Sequence, residues 1–200
     1  MFNRGRKDGK KKGIVREYVD IIVMAVLLAF FVRTFFVQAF KIPSESMEDT
    51  LLVGDFLFAN KFVYGAKIPF LDVRLPAVRS PRPGDIIIFK FPGDKKTDYI
   101  KRCVAVEGQT VELRGRNLYI DGILQDEEYT KYHHGSRYGP KVVPKGHIFM
   151  MGDNRDNSAD SRVWGPLDVD LVLGRAMFIY FSWNPSRHTV RVARIGDIIR

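Results

Sequence analysis

The chain has 200 residues, 46% of them hydrophobic and 12% aromatic, which excludes a disordered or fibrous protein and allows one sizeable core or two small lobes. Its 32 Lys and Arg against 23 Asp and Glu give a formal charge of +9, compatible with nucleic acid, an anionic membrane surface or plain solubility. A single cysteine, Cys103, excludes an intrachain disulfide.

Much of the positive charge sits at the start. Residues 1 to 20 carry seven cations, Arg4, Arg6, Lys7, Lys10, Lys11, Lys12 and Arg16, against Asp8, Glu17 and Asp20, a local balance of +4. Directly behind them Ile21 to Val32 is unbroken apolar sequence, and Ile21 to Phe40 holds seventeen apolar residues in twenty. At about 1.5 Å per residue that segment reaches about 30 Å, the thickness of a bilayer core. Arg33 lies past its middle, where a long aliphatic stem can carry the guanidinium to the interface. A cleavable leader would need small residues before its cut, and Val37-Gln38-Ala39 puts Val at the outer position, so a retained anchor is expected. The predicted division is a basic cytoplasmic tail at 1–16, one transmembrane helix at 17–40 and a domain at 41–200 beyond the membrane, oriented by the positive-inside rule. The tail then serves topology and lipid contact, and no nucleic-acid role is expected.

From Lys41 onward there is no long amphipathic helix. Short apolar runs at Phe56 to Ala59, Ile86 to Phe91, Tyr99 to Val106, Val111 to Leu113, Leu118 to Ile120, Ile148 to Met151 and Ala176 to Phe181 alternate with Gly, Pro and Asp. This predicts an all-β body. Asp121-Gly122 between two apolar runs signals a hairpin, and Pro81, Pro83 and Gly84 place a turn before Ile86. Gly54-Asp55-Phe56-Leu57-Phe58 resembles Gly84-Asp85-Ile86-Ile87-Ile88 thirty residues on, a likeness that common turn chemistry explains without a repeat. Residues 126–146 are polar, broken by Gly and Pro, and aperiodic. They read as a long surface loop or small hairpin, part of an insertion at about 107–146.

No zinc spacing connects His133, His134, His147 and His188, and neither a metal nor a cofactor is expected. A Gly-x-Ser-x-Gly elbow is absent. Three other segments carry candidate chemistry. Pro43-Ser44-Glu45-Ser46 offers two hydroxyls two residues apart, a pattern that equally suits a loop or a helix N-cap. In the strand around Asp98 to Val106, period-2 alternation puts Lys101, Cys103 and Ala105 on one face and Ile100, Arg102 and Val104 on the other, so one of two adjacent cations points away from its neighbour. A Lys101 turned inward among small side chains would be desolvated and could serve as a base, whereas a Lys101 turned outward is a solvated surface lysine. Gly152 to Arg162 is dense in Asp, Asn and Ser, with Arg155 and Ser158 where a calcium loop needs other residues; Asx turns and Asp–Arg pairs suffice to account for it.

The order of these blocks is more specific than any one of them. An N-terminal apolar span, then IPSESM, GDFLFANKFVYG, RPGDIIIFKFP with DYIKR, and GDNRDNSADSRVWG resembles the bacterial type I signal peptidase family, from the span to about Gly174, with Arg194-Ile195-Gly196 adding to the likeness. The resemblance implies a mainly β fold of the signal peptidase/LexA type behind one N-terminal transmembrane helix. It implies a Ser/Lys dyad with Ser46 as nucleophile and Lys101 as general base, Ser158 hydrogen-bonded to the lysine amine, and Ser44 beside the Ser46 amide in an oxyanion hole. Asp160 and Arg162 would be a supporting pair, with Arg102 following the base. The implied substrates are exported preproteins cut after small-x-small (Ala-x-Ala type) sites, and the implied location is the cytoplasmic membrane, with the catalytic domain outside. Ile42, Met47, Leu51 and Ile100 flank the dyad in sequence and are the candidate pocket residues. Asp49 departs from the family, where many members have proline. LexA-type self-cleaving repressors share the scaffold but are cytosolic, which the span argues against. A non-enzymatic anchored β protein would tolerate alanine at Ser46 and Lys101.

Overall fold

A computed structural model describes residues 13–35, 37–65, 73–130 and 134–200. The cations at positions 4 to 12 and His133 lie outside the described residues, as does the Arg33 side chain. Helix α1 spans Ile14–Phe35, with Arg16, Glu17 and Asp20 in its first two turns. Beyond them Ile21, Ile22, Val23, Met24, Val26, Leu27, Leu28 and Phe30 are each more than half exposed. Among the described residues no helix is long and apolar enough to cross a membrane.

The helix ends sooner than the apolar pattern suggests. Val37–Lys41 is strand β1, paired antiparallel with β2 (Asp55–Asn60) from Val37 opposite Asn60 to Lys41 opposite Phe56. The expected anchor at 17–40 is corrected here: its Phe-rich end belongs to the sheet, because a Val/Phe-bearing stretch finds ladder partners on the edge of β2.

The remaining strands are β3 (Ile86–Lys90), β4 (Asp98–Val106), β5 (Thr110–Gly115), β6 (Asn117–Ile120), β7 (Ile123–Leu124), β8 (Ser136–Val142), β9 (His147–Met151), β10 (Leu167–Asp168), β11 (Val172–Asn184) and β12 (Thr189–Val190). The larger sheet runs β1-β2-β11-β3-β4-β9-β10, with β12 on β11, and a second sheet runs β7-β6-β5-β8. The only other α-helix among the described residues is the single turn α2, Ser161–Trp164. The all-β body is therefore as the sequence pattern requires. Strands β3 and β4 are buried on both faces, which explains their nearly continuous apolar runs.

The two similar Gly-Asp stretches share one geometry. Gly54 and Gly84 have φ of 90° and 91°, the left-handed conformation required at the third position of a type II turn. Each following Asp donates its N–H three residues back, Asp55 to the Leu52 carbonyl and Asp85 to the Arg82 carbonyl. Each carboxylate in turn accepts that residue's N–H. The strands that follow, β2 and β3, then flank β11 on opposite sides.

Asp121 and Gly122, with φ of 53° and 79°, close the β6–β7 hairpin with the predicted turn. The polar stretch 126–146 contributes more than a loop. Its residues 136–142 form β8, an edge strand on β5. Most β8 side chains are half or fully exposed, so backbone pairing supports the strand without an apolar period. Side chains from β5 and β6 pack with Val104, Phe149 and Met151, which joins the small sheet to the large one.

Candidate active site

Ser46 lies in the turn between β1 and β2. Met47 and Leu51, both fully buried, pin that turn onto Ile42, Leu57 and Ile88, and the Leu51 N–H closes it on the Met47 carbonyl at 2.7 Å. A second segment holds it from the other side. Asn154 N–H donates to the Ser46 carbonyl at 3.2 Å, Asn154 Nδ2 to the Glu45 carbonyl at 3.1 Å, and Thr50 Oγ1 to Asp153 Oδ2 at 2.6 Å.

Lys101 sits mid-strand in β4 and is only 4% exposed. Its Nζ donates to Ser46 Oγ at 2.5 Å and to the Ile100 carbonyl at 3.1 Å. Of the two orientations the sequence allows, the structure has the inward one. Arg102 points the other way, as alternation requires. Its guanidinium grips Asp153 through Nε and Nη2, both at 2.8 Å, and stacks on Tyr129 with 3.8 Å to the ring centroid. Burial lowers the Lys101 pKa to about 8, overcoming the opposing attraction of the Asp160 and Asp153 carboxylates. An amine with that pKa is substantially neutral at mildly alkaline pH and can accept the proton of a hydroxyl it already touches.

Ser44 Oγ is 3.4 Å from Ser46 Oγ, and the Ser44 side chain is open to solvent. Ser158 is near the dyad but does not make the expected bond to the lysine. Its Oγ is buried and has no hydrogen-bond partner among the described residues, because the Lys101 amine is turned to Ser46 and the Ile100 carbonyl. A methyl group on Gly152 would strike both Ser158 Oγ and the Ser46 carbonyl, so these three groups lie side by side.

The supporting pair is present. Arg162 engages the fully buried Asp160 through Nε and Nη2, each at 2.8 Å, and Asp160 also accepts the Gly152 N–H at 3.1 Å. Of the four candidate pocket residues, Ile42 and Ile100 line a cleft beside the dyad with Pro43, Ile88 and Tyr99. Met47 and Leu51 do not line it; they are core residues that hold the Ser46 turn.

Sequence reasoning missed two networks behind the site. Asp55 gathers Ser182 Oγ, Leu52 N–H and the Arg194 guanidinium, which also donates to the Thr50 carbonyl. The closing Arg194 thus buttresses the Ser46 turn. Arg155, fully buried, pairs with Glu127 and ties the 152–162 loop to the polar insertion. Nothing local in the sequence marks Glu127 or Arg194 as partners of residues so far away.

Lys101, the one buried lysine among the described residues, thus stands against a serine hydroxyl on two joined antiparallel sheets, an arrangement that can support Ser/Lys hydrolase chemistry. The comparisons agree. The family described as signal peptidase, peptidase S26, matches residues 15–183. Signal peptidase I of Pseudomonas aeruginosa is 34% identical over 94% of this chain and 81% of its own. Signal peptidase I P of Bacillus subtilis subsp. natto is 34% identical over 91% and 97%. The crystal structure of a signal peptidase I from Enterococcus faecalis aligns with 50% of this chain and 98% of its own, at 29% identity and a TM-score of 0.44. The chain belongs to the signal peptidase family, peptidase S26. Its activity is that of a signal peptidase I-type serine endopeptidase, which removes N-terminal signal peptides.

Proposed function

We propose that Ser46 and Lys101 perform this cleavage as nucleophile and general base. The observation that carries the assignment is the buried 2.5 Å contact between Lys101 Nζ and Ser46 Oγ. Neutral Lys101 takes the Ser46 proton as Oγ attacks the scissile carbonyl carbon. The Ser44 hydroxyl and the Ser46 N–H stabilise the resulting oxyanion. The lysine ammonium then protonates the departing amine, which frees the mature chain and leaves an acyl-enzyme. A water, deprotonated by Lys101, hydrolyses that ester and restores Ser46. Ser158, Asp160, Arg162 and Arg102 position these groups.

The signal peptide lies extended between Lys41–Pro43 and Asp98–Ile100, where backbone hydrogen bonds set its register. The cleft there is floored by Ile42, Ile88 and Ile100, which suits small side chains at the first and third positions before the cut. The substrates are exported preproteins. The membrane anchor is the N-terminal apolar segment to which α1 belongs, with the basic tail cytoplasmic and the catalytic domain outside. What supports this reading is the run of exposed apolar side chains from Ile21 to Phe30.

The test is incubation of the full-length, detergent-solubilised protein with a preprotein bearing an Ala-x-Ala site, with product masses read beside Ser46→Ala and Lys101→Ala. Cleavage directly after the site, lost in both variants, is expected. Cleavage that survives Ser46→Ala refutes the nucleophile. For the anchor, extraction of cell membranes at alkaline pH should leave the protein in the pellet, and release into the supernatant rejects it.

A further inference from the structure

We propose that a second cleft, between β8 and residues 155–163, holds the first residues of the mature chain after the cut, and that Arg137 favours an acidic side chain there. The proposal extends the reading of Ser46 as nucleophile. It rests on the position of β4, which carries Lys101 between β3 and β9. On the β3 side is the Ile42–Ile88–Ile100 cleft, next to β1 and hence to α1. Toward β9 the chain leaves Met151, passes Gly152 and reaches Ser158, which lines a larger cleft with Ser136, Arg137, Tyr138 and Arg162. A preprotein whose signal segment comes from the membrane enters the first cleft and, having crossed Ser46, continues into the second.

The second cleft has unmet hydrogen-bonding capacity. Ser136 and Ser158 line it, and the Oγ of each is buried without a partner among the described residues. A buried hydroxyl left unpaired is destabilising. Rotation of either side chain into the cleft would let the N–H and C=O groups of an extended peptide satisfy it. The walls are already fixed, since Glu127 pairs with Arg155, and Asp156 accepts the His134 N–H at 2.9 Å. Asp156 is the only carboxylate in the lining.

Charge sets the preference. Arg162 is taken by Asp160, Arg155 by Glu127 and the neighbouring Arg114 by Glu112. Arg137 has no ion pair among the described residues. It stands directly opposite Arg114 in the β5–β8 register, a like-charge placement that costs the sheet stability. Arg137 also borders the adjoining hollow over β5, so the cation lies where the groove continues.

Two peptides that span the cleavage site and differ only in carrying Asp or Lys at the second to fourth residues after the cut provide the probe. Binding is measured on full-length Ser46→Ala protein, where no cutting occurs. The Asp peptide should bind about three- to fivefold tighter, as for a solvent-accessible charge pair. Adding Arg137→Glu should reverse the order, and adding Ser136→Ala should weaken both peptides alike. Equal binding of the two peptides, or an order unchanged by Arg137→Glu, overturns the proposal. Neither result depends on whether Ser46 is the nucleophile, which the cleavage assay decides separately.

Discussion

Lys101 Nζ stands 2.5 Å from Ser46 Oγ and 3.1 Å from the carbonyl of Ile100, so the amine is aimed by its own strand at the hydroxyl across the turn. Its pKa of about 8 makes the neutral fraction limiting below that pH. The rate constant kcat/KM should rise tenfold per pH unit on the acid side and level off above about pH 8. A profile flat from pH 5 to 9 would remove Lys101 as the base. Lys101→Arg keeps the charge but cannot shed its proton at usable pH, and its turnover should fall to background.

The same burial has a thermodynamic sign. The folded-state pKa lies below the ordinary 10.5, so the folded protein binds the Lys101 proton less readily than the unfolded chain does. Below about pH 8 both states are protonated and the folded state carries the full penalty, on the order of 3 kcal/mol at about 1.4 kcal/mol per pKa unit. Between about 8 and 10.5 only the folded state loses its proton, and the penalty disappears. Lys101→Met should therefore raise the thermal midpoint at pH 7, with an advantage that shrinks toward pH 10. Calorimetry across that range tests it, and an advantage independent of pH would show that packing, not charge burial, is responsible.

Gly152 has no room for a side chain, since a Cβ would meet both Ser158 Oγ and the Ser46 carbonyl. Gly152→Ala should lose roughly 1–3 kcal/mol of stability. Activity should fall more than a hundredfold, or about 2.7 kcal/mol in the barrier, because the Ser46 carbonyl must move. Urea melts beside kcat/KM separate the two effects, and a variant within threefold of wild-type activity contradicts the packing argument.

Asp49 adopts φ of 79°, outside the range a proline ring allows. The proline that the family resemblance leads one to expect here is therefore incompatible with this turn as it stands. Asp49→Pro should destabilise the protein by more than about 1 kcal/mol and slow cleavage, while Asp49→Gly should keep activity. Full activity in Asp49→Pro would mean that the turn can adopt a second conformation.

The strands were legible from a two-residue period, which also set Lys101 and Arg102 on opposite faces but left open which of them turned inward. The β1 boundary was not legible, since a Phe-rich end suits a bilayer interface and a strand equally, and pairing with Asp55–Asn60 decided it. β8 was hidden because backbone partners hold it with little burial of its own. The hydroxyls and carboxylates of the site were visible as residue types but not as partners. Asp55 meets Arg194 across 139 positions, and no local pattern encodes that distance. The same limit applies to Ser158, expected on the lysine amine from the family resemblance but found with its Oγ packed against Gly152.

Cys103 is fully buried in β4, two residues past the base, and burial pushes its thiol up to about 12. Neither solvent access nor a useful thiolate fraction is available to an alkylating reagent while β3, β4 and β9 stay paired. The single thiol is thus a native clock for opening of the catalytic sheet. Maleimide labelling of unmodified protein counts the moments when the strand bearing Lys101 comes free, and it does so in intact membranes where melting curves cannot be recorded.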